Sequence, residues 1–177
     1  MILYIYKLNK FDKDSLNNLP KNIKIQNQNN GMIRAIVSLE NFSNEIIICL
    51  NSNFLFIMAN KKSEKRKLFK FLYSHFKGNL SYFRPSSEEE FQFLNSTNNP
   101  SLKFIHDNKI QYSNSLTKKY FEKKLNEDYY LFEANIKIDS IPDCYFLYYG
   151  DAIKIKDIFK NYLDEIITFF EDKWVVG

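Results

Sequence analysis

The chain has 177 residues, 45% hydrophobic and 17% aromatic, with 17 Phe and 12 Tyr; so much apolar side chain builds a sizeable core and excludes a disordered chain. Its four glycines leave no room for a glycine-rich phosphate loop, and neither GxGxxG nor GxxxxGK occurs. The net charge is +4, yet residues 61–85 (KKSEKRKLFKFLYSHFKGNLSYFRP) hold eight cations and one acid, a local +7 that leaves −3 for the rest.

The first strand is predicted over 2–8, starting the fold at once. A helical turn follows at 12–19, ended by Pro20. Strands at 22–26 and 32–39 are separated by a polar segment ending in Asn29-Asn30-Gly31, residues that tolerate positive φ and reverse the chain. The most hydrophobic pair, 45–50 and 54–59 (EIIICLNSNFLFIMA), reads as a hairpin around NSN. Neither strand alternates, so both faces are to be covered and this hairpin takes the centre of a sheet.

The basic stretch follows directly. Leu68, Phe69, Leu72 and Phe76 recur at helical spacing, Asn60 or Ser63 offers a capping oxygen, and Gly78 suits the left-handed position that closes a helix. Lys62, Arg66 and Lys70 stack on one face at four-residue spacing, with Lys77 near them and Arg84 beyond. A rigid row of cations binds a polyphosphate backbone through counterion release; a solvated outer face is the alternative. His75 sits on this helix as a packed or solvated side chain.

A short strand is expected at 80–83. Pro85-Ser86-Ser87-Glu88-Glu89-Glu90 opens a helix with a capping serine and a glutamate three residues later. Its three glutamates read as complements to the helix dipole rather than metal ligands. NSTNNPS, 95–101, is the one internal boundary that composition marks in a single α+β domain over 1–177. A hairpin at 103–106 and 109–112 turns at Asp107-Asn108 and sets His106 opposite Lys109. The second basic helix, 115–126, carries Lys118, Lys119, Lys123 and Lys124 around Leu116, Tyr120 and Leu125.

A long strand spans 129–138. Gly150-Asp151 joins strands 144–149 and 152–156 in a turn that pairs Phe146 with Ile155 and Tyr148 with Ile153. Tyr145, Leu147 and Tyr149 then share the other face with Lys154 and Lys156, where tyrosines can stack bases and lysines hold phosphates, unless a second helix covers them. The last helix, 157–172, is acidic outside; its apolar face reads as core, with a partner surface through Phe159, Tyr162, Ile166, Phe170 and Trp174 as the alternative.

Hairpin then helix recurs at 45–77, 102–126 and 144–172, which predicts an α+β fold with a mainly antiparallel sheet and three to four helices. Cys49 and Cys144 fall in apolar strands, as small buried residues of a reducing compartment do. Two cysteines and two distant histidines make no zinc pattern, and no metal or cofactor is assigned. The apolar part of MILYIYKLNKF is too short for a signal peptide, and no apolar run approaches a membrane span, so a cytoplasmic protein away from membranes is expected.

For function, the leading expectation is a non-enzymatic nucleic-acid-binding module, acting on the DNA or RNA backbone with low sequence specificity, alone or as a subunit of a larger assembly. The second is a protein-interaction subunit or homodimer using the apolar helix 157–176. The third is a small nuclease centred on His106 or His75. No HExxH, GxSxG or CxxC occurs, and Glu133 is followed at 135 by Asn rather than the Lys of a Glu-x-Lys metal nuclease.

Overall fold

The computed structural model describes residues 1–9, 18–29, 31–76, 78–98 and 100–175. Most of the turn expected at 12–19, and Lys77, lie outside them. Among the described residues are eleven strands and four α-helices, and the strand pairings below are all antiparallel. The fold is therefore α+β. The chain divides into two compact units, Met1–Phe83 and Arg84–Gly177.

The N-terminal unit contains β1 (Ile2–Leu8), β2 (Ile23–Asn29), β3 (Met32–Leu39), β4 (Phe42–Cys49), β5 (Phe54–Met58), α1 (Lys62–His75) and β6 (Leu80–Tyr82). Its sheet runs β2-β3-β4-β5-β1-β6. The β4–β5 hairpin sits in the middle, and Ile46, Ile47, Ile48, Cys49, Phe54, Leu55, Phe56 and Ile57 are all buried, as continuous apolar strands require. β4 begins three residues before the expected 45, because Phe42 and Ser43 pair with Leu39 and Ser38 and the Ser43 hydroxyl lies 2.9 Å from that of Ser38. The β2–β3 turn depends on Gly31. Its φ is +79°, and a Cβ there would stand 2.7 Å from the Asn51 amide nitrogen, so backbone and space both demand glycine.

α1 packs on one face of this sheet. Leu68, Leu72 and Phe76 join a buried cluster with Tyr6, Ile33, Ala35, Ile46, Ile48, Leu55 and Ile57. Each such side chain contributes about 1.5–3 kcal/mol, which stabilises a 14-residue helix that would be marginal alone. Neither Asn60 nor Ser63 caps it. The cap position is Lys61, with no side-chain bond, because Ser63 already lies inside the first turn. Gly78, at φ +79°, donates its N–H to the Tyr73 carbonyl and closes the helix.

The C-terminal unit contains α2 (Ser87–Asn95), β7 (Ser101–His106), β8 (Lys109–Ser113), α3 (Lys118–Asn126), β9 (Tyr130–Lys137), β10 (Tyr145–Tyr148), β11 (Ala152–Ile155), a 3-10 turn (Asp157–Tyr162) and α4 (Leu163–Val175). Its sheet runs β11-β10-β9-β7-β8. The expected register holds, with Phe146 opposite Ile155, Tyr148 opposite Ile153 and His106 opposite Lys109. Residues 95–101 lie inside this unit, between α2 and β7. The succession of hairpin and helix holds three times, as β4–β5–α1, β7–β8–α3 and β10–β11–α4.

All three helices pack on the same side of this second sheet. Phe93 of α2 meets Tyr148 at 5.1 Å between ring centroids, Phe121 of α3 meets Phe104 at 5.9 Å, and Phe169 of α4 meets Phe146 at 6.1 Å. The helix expected over 157–172 differs at its start. Six residues wind as a 3-10 turn, at three residues per turn instead of 3.6, and this breaks the apolar phase: Phe159 is buried while Ile158 is 75% exposed.

α2 begins with the expected capping box. The Ser86 hydroxyl accepts from the Glu89 N–H at 3.3 Å, and the Glu89 carboxylate accepts from the Ser86 N–H at 2.7 Å. Ser86→Ala should destabilise the unit by about 1 kcal/mol, read as a lower urea midpoint at unchanged slope; an unchanged midpoint would mean the cap contributes nothing.

Candidate nucleic-acid interface

On α1 the apolar stripe turns Lys62, Arg66 and Lys70 outward, and all three are exposed. Cations four apart repel by a few tenths of a kcal/mol per pair. A merely solvated face usually relieves this with interleaved acids, whereas α1 carries Glu64 alone. The other lysines are drawn toward aromatic rings: the Lys65 ammonium lies 4.0 Å over Tyr4 and that of Lys67 6.0 Å from the Phe42 centroid. His75 is half-buried with its ring edge-on to Phe76, and burial lowers its pKa, so it is neutral at pH 7. Arg84 is exposed at the start of the C-terminal unit.

The second expected basic cluster is largely neutralised. Lys118 pairs with Glu88 of α2 at 3.1 Å, and Lys123 pairs with Glu127 at 3.7 Å. Lys124 is not a surface cation. It is 7% exposed, with its ammonium 2.6 Å from Glu127 and near the rings of Tyr120 and Tyr129. The hydrogen bond to Glu127 holds its pKa above the ordinary value. Lys119 stays exposed. The pairing carboxylates come from another helix and from the end of α3, which the spacing of lysines does not show.

His106 fastens the β7–β8 tip to the end of α3. Its Nδ1 donates to the Asp128 carbonyl at 2.8 Å, its Nε2 lies 3.2 Å from the Asp107 carboxylate, and its ring rests 5.3 Å from that of Tyr129. Both ring nitrogens are thus engaged.

The face of the C-terminal sheet opposite the helices carries Tyr145 and Leu147 of β10 and Lys154 of β11, as the register requires, with Tyr149 just past the end of β10. Tyr145 is 41% exposed. Tyr149 is half-buried, its ring edge-on to Phe132; burial and a hydrogen bond from its hydroxyl to Glu133 push its pKa up to about 12. Tyr145, Leu147, Lys154 and Lys156 line a pocket of about 320 Å³ with Ile155 and Asn135. The Asn135 Oδ1 is buried and makes no hydrogen bond among the described residues.

The same face extends across strands that the sequence did not bring together. β9 pairs with β7, and a register shift at Lys103/Phe104 lets Phe132 project over this side, where the Lys103 ammonium lies 4.9 Å from its centroid. Lys103 stands opposite Tyr112 of β8, which is 71% exposed, and Lys137 stands opposite Tyr145. Only strand order and the bulge unite these residues; neither is legible in local spacing.

The C-terminal helix places its apolar residues differently. Phe159, Ile166 and Phe170 are buried in the folded chain, and Trp174 stacks on Phe170 at 5.7 Å and meets Phe93 at 4.6 Å, whereas Tyr162 is exposed. Elsewhere Glu90 turns inward toward Tyr148, a half-buried carboxyl that reading the three glutamates as dipole complements overlooked. Its pKa is raised to about 7, chiefly by burial. The Tyr148 hydroxyl is buried beside the Glu90 carboxyl, and burial together with that carboxyl raises its pKa.

Among the described residues no group of three His, Cys, Asp or Glu side chains is placed to hold a metal ion, and no helix is long and apolar enough to cross a membrane. No protein-family model matches the chain, and no curated protein matches it significantly.

Proposed function

We propose that this protein is a non-enzymatic nucleic-acid-binding module that engages the phosphate backbone through α1. The observation that carries the reading is the exposed row Lys62, Arg66 and Lys70 on a helix with one acid, set against α3, where Lys118, Lys123 and Lys124 are each paired with a glutamate. Such a row neutralises phosphates without reading base edges, so sequence specificity should be low. Cys49 and Cys144 are buried and not joined in a disulfide, which fits a reducing, cytoplasmic setting.

The test is binding to short DNA and RNA, single- and double-stranded, across a salt series. Three phosphate contacts predict about a fortyfold loss of affinity between about 50 and 200 mM salt. The triple variant Lys62→Glu, Arg66→Glu, Lys70→Glu should lower duplex affinity about a hundredfold or more at the lower salt, with an unchanged circular dichroism spectrum. Unchanged affinity in that variant, or no salt dependence, would remove α1 as the site.

A further inference from the structure

We infer that the helix-free face of the C-terminal sheet is a second binding surface, one that takes single-stranded nucleic acid with its bases laid on exposed aromatic rings. This rests on the nucleic-acid reading above but concerns a different surface and a narrower substrate.

The large apolar side chains that this sheet leaves exposed all lie on the one face. Tyr112, Phe132 and Tyr145 are 71%, 39% and 41% exposed, and Ile110 and Tyr130 join them there through their pairing with Ile105. α2, α3 and α4 occupy the opposite face, as the ring contacts of Phe93, Phe121 and Phe169 establish. A soluble domain seldom leaves several aromatics together on one surface without a ligand for them.

Charge decides what the ligand is. Lys103, Lys137, Lys154 and Lys156 stand among these rings, and the one acid placed with them by register, Glu133, is occupied by the Tyr149 hydroxyl. The centre of a protein–protein interface is depleted in lysine, since the ammonium must be desolvated. A single strand suits both components: its phosphates meet the ammonium groups at the edges, and its unstacked bases meet the rings. A duplex keeps its bases stacked inside and offers the rings nothing.

Strand spacing gives the scale. Tyr112 on β8 and Tyr145 on β10 are three strand steps apart and offset along the sheet, roughly 15–20 Å in all, a span of a few extended nucleotides. Near the Tyr145 end lies the pocket that Leu147, Lys154 and Lys156 line with it.

The experiment measures binding of fluorescently labelled octathymidylate, octauridylate and a 16-base-pair duplex at low salt. It compares the wild-type chain, the α1 triple variant and the double variant Tyr112→Ala, Tyr145→Ala. Both tyrosines are exposed, so the double variant should fold. Stacking predicts about a 5- to 100-fold loss per ring for single strands, with duplex affinity unchanged. The α1 variant should weaken duplex binding in contrast. Unchanged single-strand affinity in the double variant, or equal losses for single strand and duplex, overturns this inference and leaves the α1 reading standing. Self-association that disappears in the double variant marks the face as a protein interface and overturns it too. A wild-type chain that binds none of the three probes overturns both readings.

Discussion

Replacing Phe93 with alanine should lower the stability of the C-terminal unit by about 3–5 kcal/mol. Phe93 is fully buried on the inner side of α2, and its ring meets Tyr148 at 5.1 Å, Phe170 at 5.3 Å and Trp174 at 4.6 Å. Those neighbours come from a strand and from another helix, so truncation leaves a cavity between elements that cannot close without shifting one of them. Trp174 is the sole tryptophan and touches the site, so its fluorescence during denaturant unfolding reports the change directly. A loss below about 1 kcal/mol, outside the range for truncating a buried phenylalanine, would show that the ring is not packed as described.

One turn earlier on the same helix, Glu90→Gln should stabilise the protein at pH 8 and do nothing at pH 4. Burial raises the folded pKa of Glu90 from 4.5 to about 7. Between those values the folded chain keeps a proton that the unfolded chain has released, so the wild type loses stability as pH rises through this window. Above pH 7 the loss is complete, at about 3 kcal/mol. Glutamine stays neutral throughout, and the other titrating groups are common to both chains. The difference between variant and wild type should therefore grow from near zero at pH 4 to its full value near pH 8, read from urea midpoints. A difference that does not vary with pH would show that Glu90 is solvated.

The contrast between Glu90 and its neighbours shows where sequence stops speaking. Glu89 was legible because the capping box is local: a serine, three positions, a glutamate. Glu90 was not, because its partner Tyr148 lies on β10, and only the packing of α2 against that strand brings the two together. The same division holds elsewhere. The strands of the Phe54 and Phe146 hairpins, the turn at Gly150 and the apolar stripe of α1 follow from periodicity and turn chemistry that act within a few residues. By contrast, the pairing of Lys118 with Glu88 and the burial of Lys124 beside Glu127 depend on which side chains tertiary structure places next to a cation. The aromatic face was legible only in part. Tyr145 and Lys154 follow from one hairpin register, whereas Phe132 and Tyr112 join them through a strand order and a bulge that no local signal encodes.

The outermost strand of the N-terminal sheet carries a different consequence. β2 pairs with β3 along one side, and its residues after Ile23 are exposed, in the order Lys-Ile-Gln-Asn-Gln-Asn. A run of amides on an open strand is an invitation to intermolecular pairing and fibril growth. Two features oppose it. Lys24 is exposed on the strand, and the register slips between Ile25 and Asn27, which bends the ribbon at its midpoint. Among the described residues the outer row of backbone N–H and C=O groups on β2 is thereby broken into two short ones, which shortens the template for another chain approaching edge-on. The kink is thus a safeguard for the chain's behaviour at high concentration, independent of any ligand it holds.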